Sequence, residues 1–149
     1  MVRIIPRQEH DGLLSYADGI ETVREAFAEH AAHPEYNETR HRIHTEGGVR
    51  VTVHQAVCPG VGGAGLMTHT EKPHSDEHRQ KYAMKAPPVS VVHDGESGEL
   101  LAVLLGELAP SDLPNEASIA PFRTASTSAV GLDALARDGA TTFGVFGSG

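Results

Sequence analysis

Between Ala17 and Ala32 the apolar residues Ile20, Val23, Phe27 and Ala31 recur at helical spacing, with Glu21, Arg24, Glu25 and Glu29 on the other side. The pattern predicts an amphipathic helix ending near His33-Pro34, with Asp18 as its cap or first-turn acid. The period then changes. Residues 40–44, RHRIH, alternate weakly, Gly47-Gly48 offers a tight turn, and residues 49–57, VRVTVHQAV, alternate cleanly, so a β-hairpin is expected. PGVGGAG (59–65) reads as a flexible loop and LMTHTE (66–71) as another strand. The polar, proline-punctuated run 72–88 reads as a long surface loop, a common place for function. VSVVHD (89–94) and ELLAVLLGE (99–107) flank Gly95-Glu96-Ser97-Gly98 in the clearest hairpin, and both arms are so apolar that burial on both faces is expected. A second helix, rich in small residues, is predicted from Pro121 to about Arg137. Asp138-Gly139 stops it, and a last strand carrying Phe143, Val145 and Phe146 runs into Gly147-Ser148-Gly149.

The order helix, strands, helix, strand predicts an α+β fold: an N-terminal helix, a mixed or antiparallel sheet and a small-residue helix, joined to the opening of an α/β unit. A chain of 149 residues suffices for one domain with a core, and 39% hydrophobic with 21% charged residues reads as soluble and globular. No run approaches the ~20 apolar residues of a membrane helix. The opening MVRIIPRQEHDGLL has no signal-peptide pattern, so the cytoplasm is the expected location. A net charge of −8 argues against general nucleic-acid binding, and a single cysteine, Cys58, excludes an internal disulfide and a thiolate zinc cage. Flanked by Val57 and Pro59, Cys58 reads as a small buried apolar residue.

PFRTASTSAVG (121–131) carries the most chemistry. Arg123 falls in a first helical turn, where the macrodipole disfavours a cation. With exposed N–H groups and the hydroxyls of Thr124, Ser126 and Thr127, it describes a site for a carboxylate or phosphate. The plain alternative is an arginine reaching an acidic neighbour. The terminal glycines follow an apolar run, as at the start of a dinucleotide-binding unit, although the full glycine spacing and the acidic ribose contact would lie further on. His69, Glu71, His74 and His78 fall in one segment and are competent metal ligands, but their spacing fits no metal motif, and solvated loop histidines are the simpler reading.

VVHDGESGELLAV, then FRTASTSAV, then FGVFGSG, resembles the ornithine cyclodeaminase/mu-crystallin family. Asp94, Gly98, Ala102, Arg123, Thr124, Ala125 and Ser128 match its pattern, as does the distance from Arg123 to Gly149, and ADGIETVREAFAEHAA is similar to its opening helix. The likeness is strong over the last 60 or so residues and weak between 45 and 88. It implies that the chain is the N-terminal portion of a protein about twice as long. Residues 1–138 would then bind substrate and dimerise, and residues 139–149 would open a truncated Rossmann-like NAD(P)-binding domain.

By the same resemblance, Arg40, or alternatively Arg42, binds the carboxylate of a small amino or imino acid, a task suited to the bidentate fork of arginine. Arg123 contacts the substrate or the cofactor, with Thr124 beside it, and Gly147 and Gly149 begin the turn around the pyrophosphate of NAD or NADP. The implied parent reaction starts with hydride transfer between the substrate Cα and nicotinamide, as in cyclodeamination, amino-acid dehydrogenation or imine reduction. Met67 stands where the family usually has a lysine, with Lys72 nearby and Lys85 able to enter from the loop, so ornithine itself is in doubt as the substrate. The family's catalytic aspartate would lie beyond Gly149, so this chain alone is expected to be inactive. A non-catalytic dimerisation or small-acid-binding module is the alternative, and a histidine-rich metal-binding domain a lesser one.

Overall fold

A computed structural model of the protein describes residues 2–73, 82–84, 86–112 and 122–146, with backbone only at 73 and 82–84. The chain forms two compact units: Met1–His10 with Ala28–Glu107, and Asp11–Phe27 with Leu108–Gly149. The fold is α+β, as its pattern predicts.

The first unit is built on one seven-stranded sheet. Its strands are β1 (Arg3–Ile5), β2 (His41–His44), β3 (Arg50–Cys58), β4 (Gly63–Pro73), β5 (Tyr82–Met84), β6 (Val89–Asp94) and β7 (Leu100–Leu105). The order is β1-β7-β6-β4-β3-β2, and β5 pairs with the end of β4. Among the described residues only β1 on β7 is parallel, through Ile4 opposite Val103; the other pairings are antiparallel. A four-residue helix, α1 (Arg7–His10), follows β1. Neither β1 nor α1 is foreseen in the sequence pattern, because three or four residues hold no period and β1 is defined only by its distant partner.

The β6–β7 hairpin closes through Asp94, whose Oδ1 accepts from the Ser97 amide (2.7 Å), the Ser97 hydroxyl (2.8 Å) and the Glu96 amide (3.1 Å). These bonds hold its carboxyl below the usual aspartate range, so the turn is strongest while Asp94 is ionised and loosens as pH falls through that lowered value. Asp94→Ala is expected to speed amide exchange at Glu96 and Ser97 while leaving β3 protection unchanged, a comparison that hydrogen-exchange NMR makes directly.

Three expectations are corrected here. The segment 59–65 is not a loop throughout: Pro59–Val61 make one 3-10 turn and β4 begins at Gly63, opposite Cys58. The polar run 72–88 contains β5, and Lys72 and Pro73 end β4; residues 74–81 and 85 lie outside the described ones. The β6–β7 arms are not buried on both faces, since β6 is half-buried throughout and Leu101 and Leu105 are 42% and 38% exposed. Within this unit the described residues supply only short helical pieces beside the sheet, too little to cover two faces. Cys58 also departs from its reading. It is half-buried at the end of β3, and its thiol donates to Glu29 Oε2 (2.7 Å), whose partner oxygen accepts from the Gly60 amide (2.9 Å).

In the second unit, helix α2 (Tyr16–Ala32, continuing into the first unit from Ala28) meets α3 (Phe122–Leu135). Ser15 and Asp18 form a capping box, with the Ser15 amide donating to Asp18 Oδ2 (2.7 Å) and the Asp18 amide to Ser15 Oγ (3.2 Å). Gly19 is where the helices touch: a Cβ there would stand 2.5 Å from the Phe122 ring and 2.7 Å from Ser126 Oγ. Glycine inside a helix costs about 1 kcal/mol against alanine, and close approach is what that position returns. Phe122 and Val130 are both buried, and Tyr16 packs edge-on against Phe122 at 5.4 Å. Arg24 on α2 pairs with Asp133 on α3 at 3.0 Å. Residues 141–146 pair with no strand among the described residues, and Phe143, Val145 and Phe146 are 71%, 74% and 101% exposed. Among the described residues no helix is long and apolar enough to cross a membrane.

Candidate functional site

Side chains alternate across a strand, so register decides which residues share a face. Arg42 lies opposite Thr52 and Thr52 opposite His69; His44 lies opposite Arg50 and Arg50 opposite Glu71; His54 lies opposite Met67. One face of β2–β3–β4 is therefore polar. The other is lined by Ile43, Val51, Val53, Val57 and Leu66.

Glu71 is the centre of the polar face. Its Oε2 accepts from Arg50 Nε and Arg50 Nη2, both at 2.6 Å, and from Thr52 Oγ1 at 3.2 Å. Thr52 is 1% exposed. Burial on its own would raise the Glu71 carboxyl, but the bonds from Arg50 and Thr52, with the charge of Arg50, outweigh it and hold Glu71 ionised below the usual glutamate range. His69 Nε2 stands 3.6 Å from Glu71 Oε1, and its ring stacks on that of His54 at 5.6 Å and 26°. A fixed charge pair, a hydroxyl and two imidazoles thus sit on a rigid sheet, an arrangement suited to orienting a small polar ligand.

Arg42 is exposed on β2 and belongs to this face. Arg40 is exposed just before β2 begins. Lys72 is exposed on β4, and alternation puts it on the face opposite Met67. Arg123 and Thr124 are exposed in the first turn of α3, in the second unit, while Arg40 and Arg42 belong to the first. The hydroxyls read as part of an anion site are partly spent on the helix itself: Ser126 donates to the Phe122 carbonyl (2.9 Å) and Thr127 to the Arg123 carbonyl (2.9 Å). Gly147, Gly149, Lys85, His74 and His78 lie outside the described residues. Among the described residues no three His, Cys, Asp or Glu side chains are placed to hold a metal. Arg50, Thr52 and His54 escape the sequence reading, although they alternate with valines in the run VRVTVHQ; two of them join the site through Glu71, about twenty positions away.

No protein-family model matches the chain, and no curated protein matches it in sequence. Its structure matches that of a probable ornithine cyclodeaminase from Bordetella pertussis Tohama I, with a TM-score of 0.65 and 20% identity, over 92% of this chain and 37% of that one. The fold is shared with that enzyme. It is shared as well with the Δ1-pyrroline-2-carboxylate reductase of Thermococcus litoralis, solved in complex with NADH and L-proline, at a TM-score of 0.65 and 18% identity over 91% of this chain. The chain spans 37% and 38% of the lengths of these two proteins. The resemblance noted in the sequence therefore extends to the three-dimensional fold.

Proposed function

We propose that this chain is the substrate-binding portion of an NAD(P)-dependent enzyme of the ornithine cyclodeaminase/mu-crystallin kind, acting on a small amino or imino acid. The observation that carries this reading is the fold shared over more than nine-tenths of the chain with two enzymes, one of them solved with NADH and L-proline. In this reading residues 1–138 bind the acid and residues 139–149 open the nucleotide-binding domain. Arg42 on β2, or Arg40 just before it, neutralises and orients the carboxylate, which fixes Cα for reaction.

Among the described residues, Arg123 and Thr124 are those that suit a dinucleotide cofactor: both are exposed at the first turn of α3, where amides and a guanidinium favour an anion. The cofactor, when bound, supplies hydride transfer; the arginines here supply binding and orientation only. Ornithine is not favoured as the substrate, since Met67 and its register partner His54 replace the charge of a lysine.

The apolar face of the sheet favours a homodimer. Ile4, Ile43, Leu101 and Leu105 are 68%, 73%, 42% and 38% exposed, and register places all four on the face opposite Glu71. A second copy covering that face would give the apolar burial that one copy lacks.

Calorimetric titration with L-proline tests the reading. The chain is expected to bind the acid, and Arg42→Ala to weaken it about tenfold or more by removing a charge-assisted contact. Absence of binding by the unmodified chain would sink the substrate-side assignment. Light scattering on the same sample is expected to give twice the 15.8 kDa chain mass.

A further inference from the structure

The polar face contains a group whose hydrogen bonding is incomplete. The His69 side chain is 8% exposed, and its Nδ1 is sealed from solvent with no partner. Its other nitrogen faces Glu71 Oε1 at 3.6 Å. An ionised carboxylate only accepts, so the imidazole tautomer that satisfies it carries its hydrogen on Nε2 and leaves a lone pair on Nδ1. A buried lone pair without a donor is unfavourable, and native structures seldom keep one without a use. The ring is held in this orientation from the Glu71 side, since Arg50 and Thr52 fix the carboxylate that faces Nε2.

We propose that His69 Nδ1 accepts a hydrogen bond from the nitrogen of the bound amino or imino acid, the polar contact that Met67 cannot make. This rests on the reading that the chain binds such an acid. The ligand group has to be a donor, because Nδ1 offers a lone pair; an amine or ring N–H satisfies it and a carboxylate does not. The carboxylate instead goes to Arg42, two strands away across Thr52, a separation of about 10 Å that the arginine stem and a small amino acid together span. The half-buried His54 ring, stacked on His69, flanks the place the nitrogen takes.

The test compares L-proline with cyclopentanecarboxylate, which has the same ring and carboxylate and no nitrogen, by calorimetry on the full chain. The unmodified protein is expected to bind proline about tenfold more tightly or better, because rejecting a ligand that leaves a buried acceptor unpaired is an efficient source of selectivity. His69→Gln keeps a donor toward Glu71 and deletes the Nδ1 acceptor, so the two acids are expected to bind within about twofold of each other. His69→Asn, with an amide oxygen near the Nδ1 position, is expected to restore part of the preference. If His69→Gln is too unstable to titrate, imidazole nitrogen shifts decide: Nδ1 of the unmodified protein moves on adding proline and stays put on adding cyclopentanecarboxylate. Equal binding of both acids to the unmodified chain, a proline preference that survives His69→Gln, or an Nδ1 signal unmoved by proline would overturn the assignment and leave acid binding standing. No binding of either acid would overturn both.

Discussion

Replacing Glu71 with alanine is expected to destabilise the chain by about 3 kcal/mol, because the substitution leaves Arg50 without its carboxylate in a site where the pair is only 17% and 18% exposed. Removing one partner of a largely buried ion pair costs more than the pair contributes, since the remaining charge keeps its desolvation penalty. Residual solvent contact places the figure at the lower end of the range for buried pairs. Thr52, 1% exposed, loses its acceptor in the same substitution. Urea denaturation at pH 7 gives the difference. Its pH dependence is a second check. The Glu71 carboxyl is held below its ordinary value of 4.5, so its contribution is complete above that value and disappears as pH falls through the lowered one. The gap between the unmodified chain and Glu71→Gln should therefore be widest at neutral pH and close as pH falls through that lowered value. A gap that stays constant while the carboxyl becomes protonated would mean that packing of the side chain, not its charge, stabilises the sheet.

Gly65→Ala is expected to cost about 3 kcal/mol, at the upper end of the range for overpacking. A Cβ on Gly65 would lie 2.5 Å from the Val91 carbonyl oxygen, and that oxygen is backbone in a paired neighbour strand. A flexible side chain could swing aside; a carbonyl held between β6 and its partners cannot move without breaking ladder bonds. Gly63→Ala is the control. It lies two residues earlier on the same strand, and its Cβ would meet only Val61 Cγ2 at 3.8 Å, an ordinary contact. Thermal melts of the two variants should differ clearly, with Gly65→Ala the lower. Equal melting points would show that β4 shifts against β6 at little cost.

These two residues mark where the sequence is readable and where it stops. Glu71 lies in a run, LMTHTE, whose strand character is legible from its neighbours, yet its partner Arg50 is 21 positions away and only the β3–β4 register brings them together. Gly65 sits in PGVGGAG, which has the composition of a loop. Gly65 lies in β4 because backbone passes close by, and Gly62 takes a left-handed φ of 66° at the end of the 3-10 turn; close approach and a positive φ leave the same composition as flexibility does. Asp94 and Gly98 are legible as a turn because the bonds that make the turn span only two to five residues. His69 lies in the same run as Glu71 and reads there as one of several clustered histidines; the fold makes it the most buried of the site's imidazoles.

The chain by itself determined α2, α3 and the β2–β3 and β6–β7 hairpins, because period, caps and turns are local and their residues lie within a few positions of one another. It also offered Arg40, Arg42, Arg123 and Thr124 as candidates, through the family resemblance that its motifs carry. Tertiary structure alone decided that β1 joins β7 in parallel, that Tyr82–Met84 is a strand, and that Arg50, Thr52, His54, His69 and Glu71 share one face. Pairing between distant strands is set by which apolar and polar faces match once the chain has closed on itself, and a one-residue slip in register would send each of those five side chains to the opposite side of the sheet.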